Sequence, residues 1–213
     1  MHFTLHKSKI VNRQSKITIT GSKSESNRLL LLQALYPKLK LENVSNSDDS
    51  VLMEKALNSS SNIIDIHHAG TAMRFLTAYF SIQEDREIML TGSKRMKERP
   101  IKILVEALQD LGADISYIEN QGYPPIKIKG KKLTKSKVSL KANVSSQYIS
   151  ALLLIASKLE NGLELSLEGE ITSVPYIKMT LSLLNEIGIE TSFNGNTITA
   201  KRQPKTINQK LWL

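Results

Sequence analysis

Residues 163–193 read LELSLEGEITSVPYIKMTLSLLNEIGIETSF, and residues 86–117 read REIMLTGSKRMKERPIKILVEALQDLGADISY. Each stretch opens on a short alternating strand that ends in glycine, starts a helix behind a proline (Pro100, Pro175), stops it at a glycine, and resumes with a second strand. Gly112 and Gly188, the two helix stops, stand 76 residues apart. A turn and a further strand follow in both, PPIKIKG after the first and NTITA after the second. A period of roughly 70 residues leaves room for three such units, with Ile17 to about His67 as the weaker third copy. Units packed around one shared core would carry their strand-to-helix junctions to equivalent places.

The remaining segments obey the same grammar. KITIT (16–20) alternates and leads into an apolar helix that ends near Pro37; LKLENV (39–44) reads as a strand and SDDSVLMEKAL (47–57) as a capped helix. IIDIHH is a short strand, followed by a helix through AMRFLTAYF. VSLKA, SQYISALLLIASKL and LELSLEG begin the last copy, and IETSF pairs with NTITA. The chain is therefore α/β, or α+β by some schemes, without long linkers or low-complexity tracts.

Composition narrows the function. The 213 residues are 40% hydrophobic and 23% charged, ordinary for a soluble globular protein, and 29 lysines and arginines against 20 acids leave a net charge of +9. That excess favours an anionic partner: nucleic acid, a membrane surface or a small phosphorylated molecule. No cysteine is present, which excludes disulfides, thiolate metal sites and a cysteine nucleophile. The four histidines lack metal-ligand spacing, so no metal is expected. No apolar run approaches the ~20 residues of a membrane span, and no signal-peptide core is visible, so a cytoplasmic location is expected.

Unusual residues collect at the helix starts: GSKSESNR (21–28), HAGTAMRF (68–75), NVSSQYIS (143–150), ITSVPYIK (171–178) and MKERPIKI (96–103). A helix N-terminus leaves up to four N–H groups unpaired and carries partial positive charge, which suits phosphate or carboxylate. Gly21, Ser22, Lys23, Ser24 and Arg28 fit that use, as do Gly70, Thr71 and Arg74, and Ser145 with Ser146. Each alone has an ordinary reading as a cap beside a solvated cation; it is their recurrence in a basic chain that favours a binding site. GSKS is not a nucleotide phosphate loop of the GxxxxGK[ST] kind, because Ile17 and Ser22 stand where glycines are required. Aromatic residues make up only 5% and do not interleave with the cations, so no stacking platform for nucleic acid is visible.

GSKSESNRLLL, HAGTAMRFL, LTGSKRMKERPI, GYPPIKIKG, VSSQYISALL and SVPYIKMTL occur here in the order and approximate spacing of the 5-enolpyruvylshikimate-3-phosphate synthase family, and the chain resembles that family from about Ile17 to Ala200. The resemblance implies transfer of the enolpyruvyl group of phosphoenolpyruvate to the 5-hydroxyl of shikimate 3-phosphate, with release of phosphate and no cofactor. It implies a domain of three βαβαββ units with helices buried in the middle and their N-termini facing a cleft. Carried over by position, Lys23 reaches phosphoenolpyruvate and the developing intermediate and is the catalytic candidate. Ser24 and Arg28 hold the shikimate moiety; Ser145, Ser146 and Ser173 bind its phosphate; Gln147 bridges both ligands, and Tyr176 lies along the shikimate. Gly70 and Arg99 line the phosphoenolpyruvate pocket, while Arg74 and Arg95 brace the site. The related transferase acting on UDP-N-acetylglucosamine generally uses a cysteine and lacks the SNR tripeptide, so it is disfavoured.

Two departures from the family bear on these expectations. His68 stands where the family usually has asparagine before AGTAMR, placing a titratable ring beside phosphoenolpyruvate. Family members are also about twice as long, and the residues thought to move protons lie in their second half; Glu25, Glu98 and Glu106 read as helix or surface charge. Residues 1–15 are then expected to belong to the other domain, 16–200 to form the substrate-binding domain, and 201–213 to be a mobile crossover or tail. The expected partners are small anionic substrates and that second domain, in a monomer without nucleic acid or membrane. On this reading the 213 residues alone lack turnover. A stand-alone phosphate-ligand domain and a basic RNA module of similar fold are the alternatives.

Overall fold

The computed structural model describes Thr4 and residues 19–143, 145–203 and 206–213. The strand expected at 16–20 and the segment 1–15 therefore lie almost wholly outside the described residues. The described chain runs α1 (Lys23–Leu35), β1 (Lys40–Glu42), α2 (Asp48–Leu57), β2 (Ile63–Asp65), α3 (Gly70–Ser81), β3 (Glu87–Thr91), α4 (Lys94–Lys97), α5 (Lys102–Asp110), β4 (Asp114–Tyr117) and β5 (Ile126–Lys129). It continues β6 (Lys137–Lys141), α6 (Ser146–Ala156), β7 (Leu163–Glu168), α7 (Val174–Glu186), β8 (Thr191–Asn194), β9 (Thr197–Ala200) and β10 (Lys210–Trp212).

Two four-stranded sheets share one topology. Their orders are β2-β3-β5-β4 and β6-β7-β9-β8. In both, the first pair is parallel and the other two are antiparallel. The quoted stretches thus occupy equivalent places, and their glycines end α5 and α7 by the same motif. Gly112 and Gly188 take positive φ of 108° and 86°. Gly112 N–H donates to Gln109 O and Ala113 N–H to Leu108 O; Gly188 donates to Asn185 O and Ile189 to Leu184 O, all at 2.9 Å. That pair of bonds is the Schellman C-cap, which a Cβ at the left-handed residue would disfavour.

The helices fill the middle. α3 is buried at every position but Thr71, and α6 at every position but Gln147. LLLLQAL in α1 has no polar face because the helix is surrounded: Leu29, Leu30, Leu31 and Leu32 are each at most 4% exposed. Each such leucine contributes about 1.5–3 kcal/mol through removal from water. With α1, α3 and α6 packed side by side in the core, their first turns emerge near one another.

The first unit departs from the expected third copy. β2, assigned to it on sequence, is the edge strand of the second unit's sheet. β1 instead pairs with β10, Lys40 against Lys210 and Glu42 against Trp212, in the parallel sense that β2 keeps with β3 and β6 with β7. Residues 206–213 therefore pack against β1 and its flanks. Asn43 Nδ2 donates to Leu213 O at 2.6 Å, Leu213 N–H to Glu42 O at 3.1 Å, and Ile207 is buried. The short α4, capped by Ser93 Oγ accepting from Met96 N–H at 3.3 Å, was not anticipated either.

Candidate functional site

The first turns of α1, α3, α6 and α7 open onto one cavity of about 240 Å³, lined by Lys23, Ser24, Arg28, Thr71, Ser145, Ser146, Gln147 and Tyr176. Seven of these eight carry a role in the sequence reading; Thr71 was noted there only as a junction residue. It accepts a hydrogen bond from Gln147 Nε2 at 3.2 Å, which ties the start of α3 to that of α6. Ser145 caps α6, its Oγ accepting from Gln147 N–H at 3.3 Å and keeping its own proton to donate. Ser146 is buried and Lys23 exposed.

Arg28 lies at the base of this cavity and is only 3% exposed. Its Nε donates to Thr180 Oγ1 at 2.7 Å, Nη1 to Ser24 O at 2.7 Å and Nη2 to Ser150 Oγ at 3.1 Å. None of these acceptors carries a charge. Burial pulls the guanidinium down to about 10, and Tyr176 and Glu25 offset this in part. Ser150 and Thr180 were missed in the sequence, where the only signal was a hydroxyl inside each of two apolar helices. They also bond one another at 2.8 Å.

Three expected site residues stand off the cavity wall. Arg99 lies over Gly70: a β-carbon there would come within 2.8 Å of its Cζ. The two form a pair next to Thr71 in the chain, and neither lines the cavity. Ser173 is the N-cap residue of α7 in left-handed backbone (φ 57°, ψ 33°), and its side chain does not cap the helix. Arg74 is buried, bonding Gly70 O and Pro100 O at 3.1 Å each, so it joins the start of α3 to the entry of α5. Burial lowers its pKa as well. Arg95, paired with it as a brace on sequence, is instead 83% exposed and bound to Glu98 at 3.1 Å.

The charges are unevenly matched. Eight lysine– or arginine–carboxylate ion pairs join surface side chains among the described residues, and none includes Lys23, Arg28, Arg74 or Arg99. Two cations without an ion-pair partner, Lys23 and Arg28, together with hydroxyls and helix N-termini around one hollow, suit an anion. Among the described residues no cluster of three or more metal-ligating side chains occurs, and no helix is long and apolar enough to cross a membrane.

A sequence model of the family described as EPSP synthase (3-phosphoshikimate 1-carboxyvinyltransferase) matches residues 38–211. The chain belongs to the EPSP synthase family. The match runs past Ala200 into β10, so the family likeness extends beyond the Ala200 limit read from the sequence. A 3-phosphoshikimate 1-carboxyvinyltransferase of Bacteroides fragilis (strain YCH46) is 49% identical over 193 residues, covering 90% of this chain and 47% of the relative. One from Haemophilus influenzae (strain Rd) is 39% identical over 206 residues, covering 83% and 48%. The solved EPSP synthase of Acinetobacter baumannii superposes with a TM-score of 0.76 at 19% identity, over 93% of this chain and 49% of that one. The enolpyruvyl transferase NikO of Streptomyces tendae does so at 0.59 and 14%, over 95% and 52%. The fold is thus the enolpyruvyl transferase fold, and the chain spans about half the length of the curated EPSP synthases it matches.

Proposed function

We propose that this chain supplies the shikimate 3-phosphate-binding half of a cytoplasmic 3-phosphoshikimate 1-carboxyvinyltransferase. The observation that carries the reading is the cavity at four helix starts whose cations lack carboxylate partners. Ser145, Ser146 and Ser173 donate to the ligand's phosphate from the ends of α6 and α7. Arg28 and Ser24 hold the shikimate moiety from α1, with Tyr176 along it. Lys23 and Gln147 sit between this ligand and phosphoenolpyruvate, which Gly70 and Arg99 meet from the rim.

Carboxyvinyl transfer protonates the methylene carbon of phosphoenolpyruvate, adds the 5-hydroxyl, then removes a proton as phosphate leaves. Lys23, which makes no ion pair among the described residues, stands at the junction of the two ligand positions and stabilises charge developing there. Of the carboxylates in or near the motifs, Glu98 binds Arg95, Glu106 faces Lys102, and Glu25 sits in the first turn of α1, where its charge favours that of Arg28. The acid and base are therefore assigned to the part of the longer relatives that this chain does not span.

Charge-assisted hydrogen bonds contribute ~1.5–3 kcal/mol each, and about 1.4 kcal/mol is tenfold in affinity. Two or three such bonds supplied from elsewhere would be worth roughly a thousandfold on phosphoenolpyruvate. Calorimetric titration with both ligands, joined to a phosphate-release assay, tests the proposal. Weak saturable binding of shikimate 3-phosphate, negligible binding of phosphoenolpyruvate and no turnover are expected. Turnover by the 213-residue chain would overturn the division of labour, and absence of any binding would overturn the site.

A further inference from the structure

The groups that fix Arg28 come from all four helices whose first turns meet at the cavity. Ser24 O belongs to α1, Ser150 Oγ to α6, and Thr180 Oγ1 and Tyr176 O to α7. The Phe75 ring of α3 lies against the guanidinium, its centroid 5.5 Å from Arg28 Cζ. Ser150 and Thr180 are each 0% exposed, so neither hydroxyl meets bulk water.

Counting protons sets the direction of each bond. A hydroxyl has one proton to donate and two lone pairs to accept with. Thr180 Oγ1 donates to Tyr176 O at 3.0 Å, so its 2.8 Å contact with Ser150 Oγ runs from Ser150 to Thr180. Thr180 then accepts twice, from Ser150 and from Arg28 Nε at 2.7 Å, and is saturated. Ser150, with its proton committed to Thr180, accepts from Arg28 Nη2 at 3.1 Å. These directions are assigned from the partners. The second Nη2 proton reaches Tyr176 O at the longer distance of 3.5 Å, and one Nη1 proton goes to Ser24 O at 2.7 Å. One N–H on Nη1 is left without an acceptor among the described residues. Arg28 lines the cavity, so that N–H is the donor it has for a ligand.

We propose that Ser150 and Thr180 are positioning residues of the anion site: their paired hydroxyls orient Arg28 so that its remaining N–H serves the ligand, and they hold the Tyr176 backbone at the start of α7. The claim rests on the reading of this cavity as the shikimate 3-phosphate site and deepens it. Neither residue lines the cavity; they act through Arg28. A guanidinium already fixed by its neighbours loses little rotational freedom when an anion arrives, and the affinity gains accordingly. An alkyl group in place of the Thr180 hydroxyl would leave Arg28 Nε–H and the Ser150 proton facing carbon.

Three variants test this. Thr180→Val keeps the side-chain shape without the oxygen, Thr180→Ser keeps the oxygen, and Ser150→Ala removes the other hydroxyl. The first readout needs no ligand: it is the Arg28 Nε–H signal in a nitrogen-correlated NMR spectrum of the 213-residue chain. In the parent and in Thr180→Ser it should be one slowly exchanging signal; in Thr180→Val it should shift and exchange with water about tenfold faster or more. The second readout is affinity for shikimate 3-phosphate, taken from backbone amide shifts. Thr180→Val should bind about tenfold more weakly and Ser150→Ala about threefold, with Thr180→Ser within about twofold of the parent. In an Arg28→Met background, Thr180→Val should weaken binding no further, because the hydroxyl acts through Arg28. A further tenfold loss there, or parent affinity in both Thr180→Val and Ser150→Ala, would overturn the proposal. Should Thr180→Val fail to fold, Ser150→Ala decides by the same two readouts, and parent-like signal and affinity overturn it. If the parent binds no shikimate 3-phosphate, the functional reading falls, while an Nε–H signal unchanged by loss of the hydroxyls would separately refute the positioning.

Discussion

Replacing Arg28 by methionine separates what the fold needs from what the site needs. The guanidinium is 3% exposed and has no carboxylate partner, and its pKa has fallen from the ordinary arginine value to about 10. At roughly 1.4 kcal/mol per factor of ten, that drop sets about 3 kcal/mol against the buried charge. Its three short hydrogen bonds are already inside that balance, so burial outweighs them. Removing the charge strands little. Thr180 Oγ1 keeps its bond to Ser150 Oγ at 2.8 Å and donates to Tyr176 O at 3.0 Å. Arg28→Met is therefore expected to match the parent in urea unfolding within about 1 kcal/mol or exceed it, as replacements of buried ions by apolar side chains often do. The same change deletes a charge-assisted donor worth ~1.5–3 kcal/mol to an anion, so calorimetry should find shikimate 3-phosphate bound roughly ten- to a hundredfold more weakly. A variant destabilised by about 3 kcal/mol or more, with ligand affinity kept, would refute the reasoning and make Arg28 a structural residue.

Gly70→Ala places a β-carbon against the flexible tip of Arg99, so thermal stability should change by less than about 1 kcal/mol while anion affinity falls about tenfold. Gly130→Ala instead meets the backbone carbonyls of Gln83 and Phe80 and should cost several kcal/mol in the same melt, roughly the scale of strained backbone. Tyr117 Oη is buried without a partner among the described residues, and burial pushes this hydroxyl up to about 12. The unfolded chain loses that proton first, so stability should fall as pH rises from about 10 to 12. Tyr117→Phe should remove the last tyrosinate step seen by ultraviolet absorbance and leave neutral-pH stability equal or higher. Deleting residues 206–213 takes away β10, the Lys210–Glu42 ion pair at 2.6 Å and buried Ile207, and should cost about 2–4 kcal/mol in denaturant unfolding. An unchanged midpoint would mean that β10 contributes nothing to the fold.

Local patterns in the sequence carried most of the architecture. Gly112 and Gly188 announce their C-caps because only a left-handed residue ends a helix that way, and the alternation around them fixes both four-stranded sheets. β10 was illegible for a physical reason: KLW shows no period, and its partner β1 lies some 170 residues earlier, so the pairing depends on tertiary context alone. The edge place of β2 was hidden likewise, since a short strand does not record which neighbour it will join. At the site, glycines, hydroxyls and cations at helix starts pointed to the cavity directly. Arg28 was legible as a cation but not as a buried one, because its acceptors Ser150 and Thr180 sit on other helices. The left-handed turn of Ser173 depends on backbone geometry that composition does not encode.

The central claim is that the first turns of α1, α6 and α7 bind one phosphorylated acid. The most direct measurement is an NMR titration of the labelled chain with shikimate 3-phosphate, read at the backbone amides. The account predicts saturable shifts concentrated at Lys23, Ser24, Ser145, Ser146, Gln147 and Tyr176, weakened by added salt and displaced by inorganic phosphate. Shifts scattered over the lysine-rich surface of β5 and β6, or none at millimolar ligand, would contradict it.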